Sequence, residues 1–456
     1  MFTQTPNSIT RWRYFLCFLA SIALFFSACQ KEALEETNVI QTPPIVEPTS
    51  ETDLRQLVLE QVFDIPVAKM EHPAVQQLAT SFIENLSATE RAILPTKIQT
   101  LKTASQPQSS ARGGAVPTPQ TIPNGESLAF GQSLTQQGDH LFVGDNGAVH
   151  IYLQGNGSYE LQQTITGDTE AGFGIKIAIT RNWLAVGAPF ENEFAGAIYL
   201  YNRVDDQWVF TQKIMGESED FLGFRLAMHG DNLVAQKQSG ISGNLQVYEL
   251  ENSQWNFETT LGEGLFFWDI AMDGNRIAAN GGTGFFDPAV HVFIEENDQW
   301  TSEAVLSTPG TLLFRAVAIQ GKTIIANFFI PMDRSYAFTL RDGIWQADGE
   351  LEIPGNIPFT NTHWIALRGN LAIVTIADND VNDVFHVYEN SFRQWRHVEA
   401  VNPTEALANG QRVGDDVLIT NRGKVVLGAP GVSELGCFCP PDAGTAFDLP
   451  GQVIVY

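Results

Sequence analysis

From about residue 115 to the end of the chain, apolar residues alternate with polar ones in short runs broken by tight turns, a pattern that predicts strands. In unit after unit an alternating strand ends in an aromatic residue, and a second aromatic follows seven positions later. The pairs are Tyr152/Tyr159, Tyr201/Trp208, Tyr248/Trp255, Phe293/Trp300, Phe338/Trp345 and Tyr388/Trp395. Turn formers such as Gly155-Asn156-Gly157, Asp205-Asp206 and Asp342-Gly343 lie between them, so each pair marks a hairpin of constant length. The first aromatics are separated by 49, 47, 45, 45 and 50 residues, a period that belongs to repeat architectures.

A second tight turn lies upstream in each unit: Gly138-Asp139, Arg181-Asn182, Gly230-Asp231, Gly274-Asn275, Gly321-Lys322, Gly369-Asn370 and Gly423-Lys424. Apolar runs flank each turn, so a unit holds two hairpins and four strands. Seven units predict an all-β fold, a seven-bladed β-propeller with four-stranded blades. The seventh unit ends on its third strand, Gln452–Tyr456. Gln120-Thr121-Ile122 stands to Gly131 as Gln163-Thr164-Ile165 stands to Gly174 and Gln212-Lys213-Ile214 to Gly223. The N-terminal segment is therefore expected to supply the outer strand of the last blade and close the ring, which leaves no open blade edge.

Upstream the pattern changes. Val75, Leu78, Ala79, Phe82, Ile83 and Leu86 form one stripe of a helix, and Ser87-Ala88-Thr89-Glu90 has the spacing of a capping box. Residues 53–102 are read as a short α-helical segment. Residues 29–52, with Pro43, Pro44 and Pro48, are read as a flexible tether, 103–114 as a linker and 115–456 as the propeller. Arg11 and Arg13 precede an apolar run over 14–26, and Ser27-Ala28-Cys29 follows; residues 1–28 read as a secretory signal too short to span a membrane. The small-small-Cys ending resembles the lipobox of bacterial lipoproteins, although Phe26 stands where Leu is usual. That resemblance implies lipidation of Cys29 and lasting attachment to the membrane. Gln30 follows rather than Asp, which by the same resemblance points to the outer membrane. Glu32, Glu35 and Glu36 loosely resemble a surface-export signal, with the periplasmic face as the alternative.

Phe173-Gly174 followed by Gly187-Ala188-Pro189 resembles the FG-GAP repeat of integrin α-subunit propellers and related bacterial proteins. Phe130-Gly131 opens unit one, Gly428-Ala429-Pro430 closes the second strand of unit seven, and Leu222-Gly223 and Phe267-Trp268 are drifted forms. The resemblance covers roughly 115–456 and implies a seven-bladed propeller that serves adhesion or ligand binding, with no conserved enzymatic activity and no cofactor. Several blades of that family carry an Asp-x-Asp-x-Asp-Gly calcium loop between their first two strands. Here that turn is too short to offer the oxygens calcium takes, so those sites are not carried over.

Charge narrows the partners. Fifty-two acidic against 26 basic side chains give a net charge of −26, a field that repels nucleic acid and anionic membrane surfaces. The same excess of carboxylate also suits the solubility of an exported protein. Loops between second and third strands place Phe190, Glu191, Glu193 and Phe194 in unit two, Phe285, Phe286 and Asp287 in unit four, and Phe328, Phe329 and Asp333 in unit five. Aromatics beside carboxylates can stack on sugar rings and accept hydroxyl hydrogen bonds, or receive a basic protein patch; the same rings can instead pack between blades. Asp378, Asp380 and Asp383, with Asn379 and Asn382, offer closely spaced oxygens for a cation, but they lack the glycine and distal Glu of an EF-hand and also fit a solvated acidic turn. Cys437-Phe438-Cys439 lies in the longest loop, 431–451; in an oxidising compartment a disulfide is the first assignment, ahead of free thiols and a metal site.

The hairpin tryptophans lack the Ser-x-Asp-x-Gly arrangement of sialidase-type turns and fit a structural clamp. No Ser/His/Asp motif or nucleophile elbow is present. The expected function is a lipid-anchored, non-enzymatic binding or adhesion module for a protein or glycan ligand. The alternatives are a carbohydrate-active enzyme using loop carboxylates and a periplasmic envelope scaffold.

Overall fold

The computed structural model describes residues 120–456 except 124–126, 128, 156–157, 240–241, 284–288, 309–313, 329–333, 354–361, 377–383, 392–393, 403–415 and 430–451. Before residue 120 it describes only Arg55, Gln76, Thr80 and Ile83, all four helical, with Ile83 buried and the Thr80 hydroxyl donating to the Gln76 carbonyl at 2.8 Å. The signal, the tether, the linker and the rest of the expected helical segment lie outside the described residues.

The strands are antiparallel throughout. A first short strand, β1 (Gln120–Pro123), precedes unit one, which contains β2 (Ser133–Gln137), β3 (His140–Asp145), β4 (Ala148–Gln154) and β5 (Tyr159–Thr166). Unit two is β6 (Ile177–Thr180), β7 (Trp183–Ala188), β8 (Ala197–Val204) and β9 (Gln207–Met215). Units three and four share one long strand: β10 (Leu226–His229), β11 (Asn232–Ser239), β12 (Ser242–Glu251), β13 (Gln254–Asp273), β14 (Arg276–Gly282), β15 (Ala289–Glu295) and β16 (Trp300–Leu306) form a seven-stranded sheet. Unit five is β17 (Phe314–Gln320), β18 (Thr323–Phe328), β19 (Arg334–Arg341) and β20 (Ile344–Glu350). Unit six is β21 (Thr362–Arg368), β22 (Leu371–Ile376), β23 (Val384–Ser391) and β24 (Gln394–Val401). In the last sheet β25 (Val417–Ile419), β26 (Val425–Ala429) and β27 (Gln452–Val455) are joined by β1, with Gln120 opposite Val455 and Pro123 opposite Gln452.

Turn chemistry explains the hairpins. Asp205-Asp206, Asn252-Ser253, Asn297-Asp298 and Asp342-Gly343 each place both central residues at positive φ, as type I′ hairpin turns require. The separate sheets expected for units three and four are joined because β13 continues from one into the other. Gly262 and Gly264, at φ 61° and 81°, turn the chain within that strand where other units have a loop.

The core lies between sheets, not within them. Phe142, Val149, Leu184 and Trp208 pack units one and two together; Ile122, Phe130, Leu141, Val426 and Val453 pack unit seven against unit one. First strands touch in succession, β2 to β6, β10, β13, β17, β21 and β25, and β25 touches β2 again. The tryptophans act as clamps at these joins. Gln163 exchanges two hydrogen bonds of 2.9 Å with the backbone of Trp208, and Gln212 does the same with Trp255 at 2.7 and 2.8 Å. The indole N–H groups of Trp300 and Trp345 instead donate to Glu258 and Glu303 of the preceding unit, at 3.2 and 2.9 Å.

The glycines behind the FG-GAP resemblance have a physical role. A Cβ on Gly144, Gly187 or Gly428 would fall within 3.0 Å of the carbonyl oxygen of Gly174, Gly223 or Gly131 in the following unit. Backbone lies directly on backbone at those three joins. At the matching second-strand position the other units carry Gln236, Asn280, Asn327 and Thr375, all buried. The motif is therefore strong where the join is glycine on glycine and absent where a polar side chain fills the gap.

Candidate functional site

One position per unit, at or near the start of the first-strand pairing, stands opposite the second-strand position just described: Ser133, Lys176, Arg225, Asp269, Ala316, Trp364 and Asp416. Three are latches. The Ser133 hydroxyl accepts from the Ile177 amide at 3.2 Å, Asp269 Oδ2 from the Val317 amide at 3.0 Å, and Asp416 Oδ2 from the Leu134 amide at 2.8 Å. A first strand has no partner on its inner side, so a side-chain acceptor from the neighbour satisfies amides that would otherwise be bare.

Lys176 and Arg225 cannot accept, and they reach elsewhere. The Lys176 ammonium, from unit two, lies 5.6 Å from the ring centre of Trp364 in unit six. Arg225 stacks over Phe224 at 4.3 Å and donates from Nε to the Trp268 carbonyl at 2.6 Å. These residues escaped the sequence reading although a signal was there. In six units the position lies five residues before the first residue of the inner turn (Gly138, Arg181, Gly230, Gly274, Gly321 and Gly369), and in the seventh it lies seven before Gly423.

The loop residues singled out from the sequence fare differently. Phe190, Phe194 and Phe328 are 7%, 2% and 1% exposed, so these rings are removed from the ligand-facing set. Phe190 stacks edge-on against Phe194 at 5.7 Å, Phe194 tilts against Phe221 of the next unit at 5.1 Å, and Phe328 meets Tyr336 at 5.6 Å. Hydrophobic burial took the rings, which pack against other side chains of the fold. Glu191 is engaged within the fold: it accepts from the Tyr199 hydroxyl at 2.8 Å and pairs with Lys213, whose ammonium sits 4.6 Å from the Tyr199 ring centre. Glu193 is exposed, in a turn where Asn192, Glu193 and Phe194 all have positive φ. That loop lies close to the segment leading into Arg225, because the amides of Phe221 and Leu222 donate to the carbonyls of Phe194 and Ala195. Phe285, Phe286, Asp287, Phe329, Asp333, Asp378, Asp380, Asp383, Cys437, Cys439 and Cys29 lie outside the described residues. Among the described residues no group of three or more His, Cys, Asp or Glu is placed to hold a metal, and no helix is long and apolar enough to cross a membrane.

No protein-family model matches the chain. Solved structures do. The WD40 repeats of RRP9 superpose with a TM-score of 0.51 at 13% identity, covering 74% of this chain and 96% of that one. U3-55K gives 0.51 at 13% identity over 74% and 98% of the two chains. The β-propeller domain of Cps50 (Swd1) from Myceliophteria thermophila gives 0.51 at 11% identity over 74% and 97%. The fold is a β-propeller. At such identities the likeness extends to the fold alone.

In a propeller the inner strands surround the axis, and these seven positions lie where the first strands pair with the second. Burial raises the carboxyl pKa of Asp269, against the pull of Lys176, Arg225 and the Val317 and Ile270 amides. Burial likewise raises that of Asp416; Lys176 and the Leu134 and Val417 amides oppose the rise, and Asp269 adds to it. Lys176 thus opposes the rise at both carboxyls and stands over one indole.

Lys176→Met is expected to destabilise the protein by about 2 kcal/mol, since it removes a cation–π contact and the cation that buried carboxylates depend on. A carboxyl whose folded pKa lies above its unfolded value loses stability as pH rises through that interval. Without Lys176 both pKa values climb further, so the loss steepens with rising pH. Urea unfolding of both proteins at pH 5 and pH 8 checks this; equal deficits at the two pH values would detach Lys176 from the carboxyls.

Proposed function

We propose that the seven units are seven blades of a closed ring and that the chain is a non-enzymatic binding or adhesion module, held at the outer membrane by lipid on Cys29. Its ligand is a protein or a glycan met around the propeller axis, and it needs no cofactor. The ring reading is supported by the contact of β25 with β2, by β1 completing the last sheet, and by the Asp416 latch to Leu134. The observation that carries the binding reading is the composition of the first-strand positions: Lys176, Arg225 and Trp364 on three blades, with the buried carboxyl of Asp269 already occupied by a backbone amide. Such groups are fixed in place before any ligand arrives, which lowers the ordering cost of binding one. The FG-GAP and lipobox resemblances agree with an anchored adhesive role.

Protease treatment of intact cells tests the placement. Degradation of the propeller beside an intact periplasmic control is expected, and directs the ligand search to host, matrix or glycan surfaces. Protection that ends only when the outer membrane is broken would remove the adhesion reading in favour of an envelope scaffold. Glycan turnover by the purified protein, lost on replacing a loop carboxylate such as Glu193, would replace the module by an enzyme.

A further inference from the structure

Four successive joins between blades carry a side-chain clamp, and the next one does not. From blades one to four, a Gln or Glu of the outer strand reaches the hairpin tryptophan of the next blade: Gln163, Gln212, Glu258 and Glu303 serve Trp208, Trp255, Trp300 and Trp345. The glutamines lie four residues, and the glutamates three, beyond the aromatic of their own hairpin. In blade five those two positions hold Asp348 and Gly349. The aspartate is one methylene shorter than Glu and turns back on its own blade, where Thr339 and Arg341 donate to it. Gly349, at φ 115°, has nothing within 4 Å of where a Cβ would stand. The indole N–H of Trp395 is buried without a hydrogen-bond partner among the described residues, as is that of Trp255, which Gln212 holds by its backbone instead.

The missing clamp leaves a groove of about 860 Å³ between blades five and six. Asp348, Gly349, Glu350 and Glu352 form one wall, and Trp395 and Arg396 stand on the other. Trp395 packs against the core between these blades and also lines the groove, so its ring is held in a fixed orientation. Arg334 pairs with Glu350 at 2.7 Å and Arg341 with Asp348, so much of the local charge is already neutralised. Gln394 and Arg396 add exposed donors to the rim.

We infer that this groove binds a neutral oligosaccharide. An anchored indole offers a flat apolar face to a sugar ring, while paired Arg and carboxylate groups, an amide and a guanidinium can donate to and accept from hydroxyls. Polyanionic glycans are disfavoured by the net charge of −26. The inference deepens the glycan branch of the proposed binding role and rests on it, but it places the site on the flank of the ring and not around its axis.

The test is calorimetric titration of the whole chain with neutral hexaoses of α-1,4-, β-1,4- and β-1,3-linked glucose. At least one is expected to bind, with Trp395→Ala weakening it tenfold or more. The double variant Gln394→Ala/Arg396→Ala, which alters only exposed side chains, is expected to weaken it several-fold without changing thermal stability. Binding that persists unchanged in both variants would overturn the groove while leaving a glycan-binding module intact. Failure of all three sugars to bind would overturn the groove as well, and the module would then stand or fall on the cell-surface protease experiment.

Discussion

Gly428→Ala is expected to cost about 3 kcal/mol and to lower the thermal midpoint by roughly 5 °C, a large effect for a single added methyl group. The new Cβ would stand within 3.0 Å of both the carbonyl oxygen and the carbonyl carbon of Gly131, and backbone cannot turn aside as a side chain can. Gly131 is itself hemmed in: at φ 93° it lies close to the Gln452 carbonyl and to the Ala429 amide. To accept the methyl, units seven and one must separate along their whole join, which also stretches the Asp416 latch to Leu134 and the exposed Arg422–Asp139 pair. Gly230→Ala is the control. That glycine has φ 63° but open space around it, so alanine there costs only the backbone strain of about 1 kcal/mol. Urea unfolding of both variants separates clash from strain. If Gly428→Ala loses no more than Gly230→Ala, units seven and one do not abut as described.

The same glycines show what was legible beforehand. Strand number, hairpin position and the pairing of Gln120–Pro123 with the last strand follow from residues that repeat, because a periodic backbone imposes its turn chemistry in every unit. The long β13 was hidden because Gly262 and Gly264 look like an ordinary loop, and only the register across Gly243 and Leu265 shows the ladder continuing. The loop phenylalanines misled for a different reason. Phe190 and Phe194 sit in a loop by sequence, but the left-handed turn that follows folds them inward, and no periodicity announces such a turn. The first-strand residues failed in the opposite way: their position is periodic while their chemistry is not. Ser, Lys, Arg, Asp, Ala, Trp and Asp share one place in seven units, so a search for repeated residue types passes over them.

A second large effect follows from acid. His386 is 5% exposed, its Nδ1 lies 2.9 Å from His397 Nε2, and burial together with the His397 charge holds its pKa at about 4 rather than 6.5. Between those values the unfolded chain takes up a proton that the folded chain refuses, so stability is full above pH 6.5 and is lost as pH falls towards 4. The shift corresponds to a loss of about 3 kcal/mol. His397 is also lowered by burial and acts with the same sign. Asp269 and Asp416 act oppositely, their raised pKa values favouring the folded state as pH falls, so the two sets separate by their direction. His386→Asn keeps a polar group beside His397 and removes the titration. Its unfolding free energy is therefore expected to change much less than that of the parent between pH 7 and pH 4.5, by on the order of 2 kcal/mol. Because His397 lines the groove beside Trp395, loosening blade six in acid should also weaken any sugar held there in the parent more than in His386→Asn. Equal acid sensitivity of the two proteins would mean that His386 is not the buried base.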